Sequence, residues 1–185
     1  MPYISMLNWP ELRLCPGVYE PREDSEILAT AVSRYAFGKV LDLGTGTGLQ
    51  GIVAALKGCE VVFADVDKNA LRCAERNAKL NNINGKFVHS DLFSKIDGRF
   101  NTIIFNPPYL ESKKIKQLDL DGGKYGRKII DRFLKDYKKH VLNRHLVLLV
   151  ESSLNNYRKD VRRLDAQVVG KEHYFFEDIV VLSFK

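Results

Sequence analysis

Between Lys39 and Asp65 the chain reads KVLDL, GTGTG, LQGIVAALKG and EVVFAD: an apolar run, a glycine-rich turn, a helical stretch closed by Gly58, and a second apolar run. That order constrains the fold more than any other feature. Strands separated by a helix lie parallel through a right-handed crossover, and a parallel sheet needs cover on both faces. The alternation continues along the chain. Lys68–Leu80 reads as helix, GKFVHS and TIIFN as strands, Lys128–Val141 as helix and HLVLLVE as strand. Ahead of them, from Asp24 to about Phe37, Ile27, Leu28, Ala31, Val32 and Tyr35 recur at helical spacing. After a helix expected over Asn155–Leu164, AQVVGKEHYFF and DIVVLSFK are separated by only a short turn and should pair as an antiparallel hairpin. The expectation is an α/β fold: an open, mostly parallel sheet with a C-terminal antiparallel hairpin and helices on both faces.

The 185 residues suit one domain, without repeat, low-complexity tract or linker. No apolar run approaches a membrane span, and MPYISMLNWPELRLCPG lacks the basic-then-apolar pattern of a signal peptide, so a cytoplasmic protein without membrane association is expected. Cys15, Cys59 and Cys73 are odd in number, far apart and without a CxxC pair; the expectation is reduced thiols used in packing. His89, His140, His145 and His173 are scattered, and no metal is assigned. The net charge of +6 attracts acidic partners without choosing among them, and Lys113, Lys114, Lys116, the stretch from Arg132 to Arg144 and that from Arg158 to Arg163 also read as solvated faces.

LDLGTGTG places Gly44, Gly46 and Gly48, with Thr45 among them, directly after a strand that ends in Asp42 and Leu43. Glycines there allow a tight turn and close backbone approach to a ligand at a helix N-terminus. The acid expected at the end of the next strand is Asp65 in VVFADVD, a carboxylate able to accept both hydroxyls of a ribose; Asp67 suits a helix N-cap better. In HSDLF, Asp91 and the amide of Leu92 fall at the same edge, where they could read an adenine amino group and ring nitrogen. Finally, TIIF runs into Asn106-Pro107-Pro108-Tyr109. Two prolines lock two φ angles and donate no hydrogen bond, so this loop is stiff and cannot continue the sheet.

With these motifs in this order, the chain resembles class I S-adenosylmethionine-dependent methyltransferases over nearly its whole length. Glycine spacing alone would also allow a nicotinamide nucleotide; the resemblance supplies S-adenosylmethionine, with S-adenosylhomocysteine as product. It implies a seven-stranded, Rossmann-like sheet, with residues 38–185 as core and 1–37 closing over the cofactor. Asp42, Asp65 and Asp91 match the acid before the glycine loop, the ribose carboxylate and the adenine-contacting acid, and Gly44, Thr45, Gly46, Gly48, Val66 and Leu92 fall in the same cofactor set. In VYEPREDSEIL, Tyr19, Pro21 and Ser25 match a segment that closes over the methionine end.

Asn106, Pro107, Pro108 and Tyr109 then become the catalytic set, with Asn106 also lining the cofactor. A planar NH₂ is a poor methyl acceptor while its lone pair is delocalised. The Asn106 side-chain oxygen and the Pro107 carbonyl can each accept one of its hydrogens, which favours a more nucleophilic nitrogen aimed at the methyl. Tyr109 would stack on the acceptor, and Pro108 would stiffen the loop.

NPPY is shared by enzymes acting on glutamine amides and on adenine amino groups. VYEPREDS, LDLGTGTG, NPPYL and LDLDGGKYGRKIIDRFL occur in the order of the small archaeal and eukaryotic relatives of the HemK group, which implies methylation of the Gly-Gly-Gln glutamine of a class I release factor. Gly122, Gly123 and Gly126 could fold a loop against the incoming peptide or serve a flexible lid. The resemblance also implies a small zinc-binding activator that adds a strand to the sheet edge near residues 86–89. The alternatives are an N6-adenine methyltransferase acting on DNA or RNA, whose duplex substrate would require base flipping, and a scaffold that binds the cofactor without turnover.

Overall fold

A computed structural model describes residues 9–108, 127–174 and 176–185. The elements follow in chain order: α1 (Glu23–Tyr35), β1 (Lys39–Leu43), α2 (Leu49–Leu56), β2 (Glu60–Asp65), α3 (Lys68–Leu80), β3 (Lys86–His89), β4 (Phe100–Phe105), α4 (Lys128–Asp136), β5 (Val141–Ser152), α5 (Tyr157–Leu164), β6 (Gln167–Tyr174) and β7 (Glu177–Phe184). The strands form one seven-stranded sheet in the order β3-β2-β1-β4-β5-β7-β6. β1 to β5 run parallel, while β7 lies antiparallel to β5 and β6 antiparallel to β7. This is the Rossmann-like sheet with its C-terminal hairpin that the sequence led us to expect.

Side-chain alternation along the strands divides the core into two layers. Val40, Val61, Phe63, Ile104, Leu148 and Val150 face α1, α2 and α3, burying Leu28, Val32, Ile52 and Ala74. Their neighbours Leu41, Val62, Ile103, Phe105, Val147 and Leu149 face the other way, onto Phe93, Phe133 and Tyr137. Because the central strands are buried on both faces, they read as continuous apolar runs in sequence.

Local geometry moves several boundaries. The helix expected over Lys128–Val141 stops at Asp136; Tyr137–His140 form a 3-10 turn, and β5 begins at Val141. Phe100 pairs with Val141, an irregularity follows, and the regular ladder resumes with Thr102 opposite Leu146, so the strand extends earlier than its apolar run. The last helix begins at Tyr157 because Asn156 takes a left-handed conformation, φ 58°.

One expectation is overturned. Cys15 and Cys73, 58 residues apart, are joined by a disulfide, and Cys59 alone is free. The N-terminal segment lies along α3, where Glu11 N–H donates to Asn81 Oδ1 (3.0 Å) and Arg13 N–H to Asn77 Oδ1 (2.9 Å). That placement brings the two thiols together, and sequence spacing carries no trace of it. Among the described residues no helix is long and apolar enough to cross a membrane.

Candidate active site

Parallel pairing of β1, β2, β3 and β4 gathers the loops after them at one edge of the sheet, where α/β folds place their ligands. After β1 the turn is built by glycine. Gly46 has φ +55°, and a Cβ added there would meet no heavy atom within 4 Å, so the space above the turn is open. Beneath it, Asp42 is buried and accepts from Thr45 Oγ1 at 2.5 Å and from the Gly51 N–H at 2.9 Å. Burial pushes its carboxyl up to about 7, against the lowering effect of those two donors. Asp42 therefore braces the turn from below.

Asp65, at the end of β2, accepts from Gly46 N–H at 3.0 Å and from Asp67 N–H at 2.9 Å, so one carboxylate ties the glycine turn to the entry of α3. Burial raises its pKa, countered by the donors of Asp67 and Gly46. Asp67 is the N-cap of α3, accepting from Asn69 N–H. Beside them the Val66 side chain is half exposed, and His89 Nε2 lies 2.8 Å from the Val66 carbonyl oxygen. After β3, Asp91 forms an exposed ion pair with Arg132 of α4 at 2.7 Å, a partner that sequence reasoning did not foresee. Leu92 holds φ 47°, a left-handed conformation rare for a leucine. A turn with open space, a carboxylate at its rim and a second acid one strand further fit a nucleoside with its ribose over the end of β2.

Asn106-Pro107-Pro108 follows β4, beside this cradle. Asn106 Nδ2 donates to Asp24 Oδ2 at 2.9 Å, and Asn106 Oδ1 is buried without a hydrogen-bond partner. An unsatisfied buried acceptor costs about 1–3 kcal/mol, so it marks a place where a donor is wanted. Asp24 also accepts from Tyr19 O–H (3.1 Å), Ser25 N–H (2.6 Å) and Ser25 Oγ (3.1 Å). Burial, then the Asp24 charge, raises the Tyr19 phenol well above its ordinary value. Gln50, in the first turn of α2, donates from Nε2 to the Ser25 carbonyl at 2.9 Å. The segment holding Tyr19, Pro21 and Ser25 is thus joined to both the glycine turn and the Asn106 loop. Tyr109, the basic stretch at Lys113, Lys114 and Lys116, and Gly122, Gly123 and Gly126 lie outside the described residues.

Beyond the cradle, Arg127 at the start of α4 donates from one guanidinium nitrogen to Glu151 at 3.0 Å and to Asp160, both fully buried, and from the other to Asp131 at 2.8 Å. Burial and then the neighbouring Asp160 push Glu151 up to about 8. Among the described residues there is no cluster of His, Cys, Asp and Glu arranged to hold a metal.

Known proteins share this architecture and sequence. Residues 15–163 match the methyltransferase small domain. A chain of Methanocaldococcus jannaschii, provisionally named a protein N5-glutamine methyltransferase, is 36% identical over 185 residues and covers 94% of both chains. A release factor glutamine methyltransferase of Agrobacterium fabrum is 36% identical over 140 residues, covering 63% of this chain and 48% of its own. A ribosomal RNA small subunit methyltransferase C of Haemophilus influenzae is 36% identical over 99 residues, 51% of this chain and 30% of its own. Among solved structures, a chain of the Mtq2–Trm112 complex of E. cuniculi, which methylates the termination factor eRF1, superposes with a TM-score of 0.72 at 26% identity, covering 91% of this chain and 98% of that one. A methyltransferase from Pyrococcus furiosus superposes at 0.73 with 21% identity, which speaks for the fold. The strand order, the cradle and the matched span agree: the chain belongs to the methyltransferase small-domain family and is a methyltransferase.

Proposed function

We propose that the chain methylates the side-chain nitrogen of the glutamine in the Gly-Gly-Gln loop of a class I release factor, with S-adenosylmethionine as donor. The observation that carries this reading is the buried, unpartnered Asn106 Oδ1 in the loop that follows β4. It is an acceptor waiting for an N–H. When bound, the sulfonium supplies an electrophilic methyl. Gly46 would leave room for the ligand, Asp65 would accept from its ribose, and Asp91, shared with Arg132, would read its adenine together with the Leu92 amide. Asn106 Oδ1 and the Pro107 carbonyl each accept one hydrogen of the incoming NH₂, holding its lone pair toward the methyl. The acceptor nitrogen would take the methyl as its bond to sulfur breaks, and would then give up one proton to solvent. No strong base is required, because the nitrogen becomes acidic only once methylated. Tyr109 is assigned to stacking on the flat acceptor.

The glutamine assignment draws on the M. jannaschii relative that matches along nearly its full length and on the eRF1-methylating complex. By the family resemblance of the sequence, a small zinc-binding activator would pair with β3, which lies at the sheet edge with its residues half exposed or exposed. A second reading, transfer to an adenine amino group of DNA or RNA, is favoured by the net charge of +6 and the ribosomal RNA methyltransferase relatives. Its support covers a shorter stretch of sequence.

The test is transfer of labelled methyl to a release factor, to the same factor with its Gly-Gly-Gln glutamine replaced, and to DNA and RNA, each with and without the activator. Label that requires the glutamine and survives nuclease supports the proposal. Label confined to nucleic acid replaces it with the second reading, and methylation that persists in Asn106→Ala removes the role given to that side chain.

A further inference from the structure

We infer that Asp24 is a positioning residue that dictates which end of the Asn106 amide meets the methyl acceptor. This inference deepens the amide-methylating reading and rests on it. An asparagine amide is nearly symmetric in shape, and its two ends have opposite hydrogen-bonding character. Turned one way it accepts from an incoming NH₂; turned the other it presents hydrogens to hydrogens. Something in the fold must choose. A carboxylate only accepts, so the amide end facing Asp24 Oδ2 at 2.9 Å has to be the NH₂, which leaves Oδ1 as the buried end without a partner.

Asp24 is itself held. It is 3% exposed, and its other oxygen accepts from the Tyr19 hydroxyl and from the backbone and side chain of Ser25. The Ser25 carbonyl in turn accepts from Gln50, one residue into α2 beyond the glycine turn. A continuous set of hydrogen bonds therefore runs from the cofactor cradle, through the N-terminal segment, to the acceptor loop. The N-terminal segment thus does more than cover the ligand: its carboxylate sets the polarity of the group that orients the substrate nitrogen.

The test exchanges the two functional groups. In Asp24→Asn the obligate acceptor is gone, an amide faces an amide, and both orientations of Asn106 become available. In Asn106→Asp two carboxylates meet. In the double variant D24N/N106D an amide again faces a carboxylate, and the second carboxylate oxygen occupies the position of Oδ1. We expect kcat to fall on the order of a hundredfold in each single variant, since misaimed acceptor groups cost about that much, and to recover by about tenfold or more in the double variant. KM for S-adenosylmethionine and the thermal midpoint should stay near those of the unaltered protein in Asp24→Asn. A purely structural role predicts lowered midpoint and cofactor affinity in Asp24→Asn and no rescue by the second change; that pattern, or an Asp24→Asn enzyme with unchanged kcat, overturns the inference.

A second readout needs no turnover. In ¹⁵N spectra of the full chain, the Asn106 side-chain amide, assigned by its disappearance in Asn106→Asp, should show one proton shifted downfield by the carboxylate, and Asp24→Asn should abolish that shift. If the unaltered protein methylates no glutamine, the amide reading fails while the spectrum still decides whether Asp24 orients Asn106. An Asn106 amide indifferent to Asp24→Asn sinks the inference whatever the substrate proves to be.

Discussion

At the scale of single residues the site depends on which atoms are left over. The Asn106 oxygen is buried and unpaired, whereas the Asp42 carboxylate, expected among the ligand contacts, is occupied with Thr45 and Gly51 under the turn. Gly51 exposes how tight that brace is. A Cβ at this position would stand 2.3 Å from the Phe63 ring and 3.0 Å from Asp42 Oδ2, both in the buried core. Gly51→Ala should therefore cost about 1–3 kcal/mol by overpacking and weaken S-adenosylhomocysteine binding as Asp42 is displaced. Denaturant titration and calorimetry would measure both; unchanged affinity would show that Asp42 does not shape the cradle. The placement of Gly46, Asp65 and Asn106 at the carboxyl ends of β1, β2 and β4 was legible in the sequence because their spacing from apolar runs is local. Asp24 was not. It lies among Glu23 and Glu26, which look like ordinary first-turn acids favoured by the helix dipole, and its meeting with Asn106 spans 82 residues. Arg132 was hidden for a similar reason, reading as one more solvated cation on a helix face.

At the scale of elements the N-terminal segment is fastened twice, to α3 by the Cys15–Cys73 disulfide and the Asn77 and Asn81 side chains, and to the acceptor loop by Asp24. A cross-link closing 58 residues restricts the unfolded chain, a contribution of about 2–4 kcal/mol. Non-reducing peptide mapping should recover the Cys15 and Cys73 peptides joined, with Cys59 alone alkylated. Reduction should lower the denaturation midpoint, and a Cys59→Ser variant should keep the full effect of reduction. Three alkylated cysteines without reductant would contradict this. The strands themselves were readable, because period-two and period-3.6 patterns are properties of a few consecutive residues. The end of α4 was not, because Val141 to Arg144 join the sheet through an irregular pairing with β4 that no local pattern encodes.

At the scale of the whole molecule, buried acids shape the pH dependence of stability, Asp42 and Glu151 among them. Asp42 is raised to about 7 and Glu151 to about 8, mainly by burial, so the folded chain binds protons that the unfolded chain releases. Their contribution is fully present below the ordinary carboxylate range and is lost as pH rises through about 7 and about 8. Denaturation midpoints should fall across that window, and Asp42→Asn and Glu151→Gln should each flatten the decline. A flat profile in the unaltered protein would contradict it. The sheet order and the hairpin follow from element order, since crossovers have a fixed hand and consecutive strands without a helix between them turn back on themselves. The chemistry follows from where that order delivers four loops.

In the proposed reaction an amide nitrogen of a protein receives the methyl. Mass-spectrometric mapping of a release factor after incubation with the chain, the proposed activator and S-adenosylmethionine decides the matter. One added methyl is expected on the glutamine of the Gly-Gly-Gln loop, absent when Asn106→Ala replaces the unaltered protein. An unmodified glutamine in a reaction that has consumed S-adenosylmethionine and methylated a nucleic acid would contradict it.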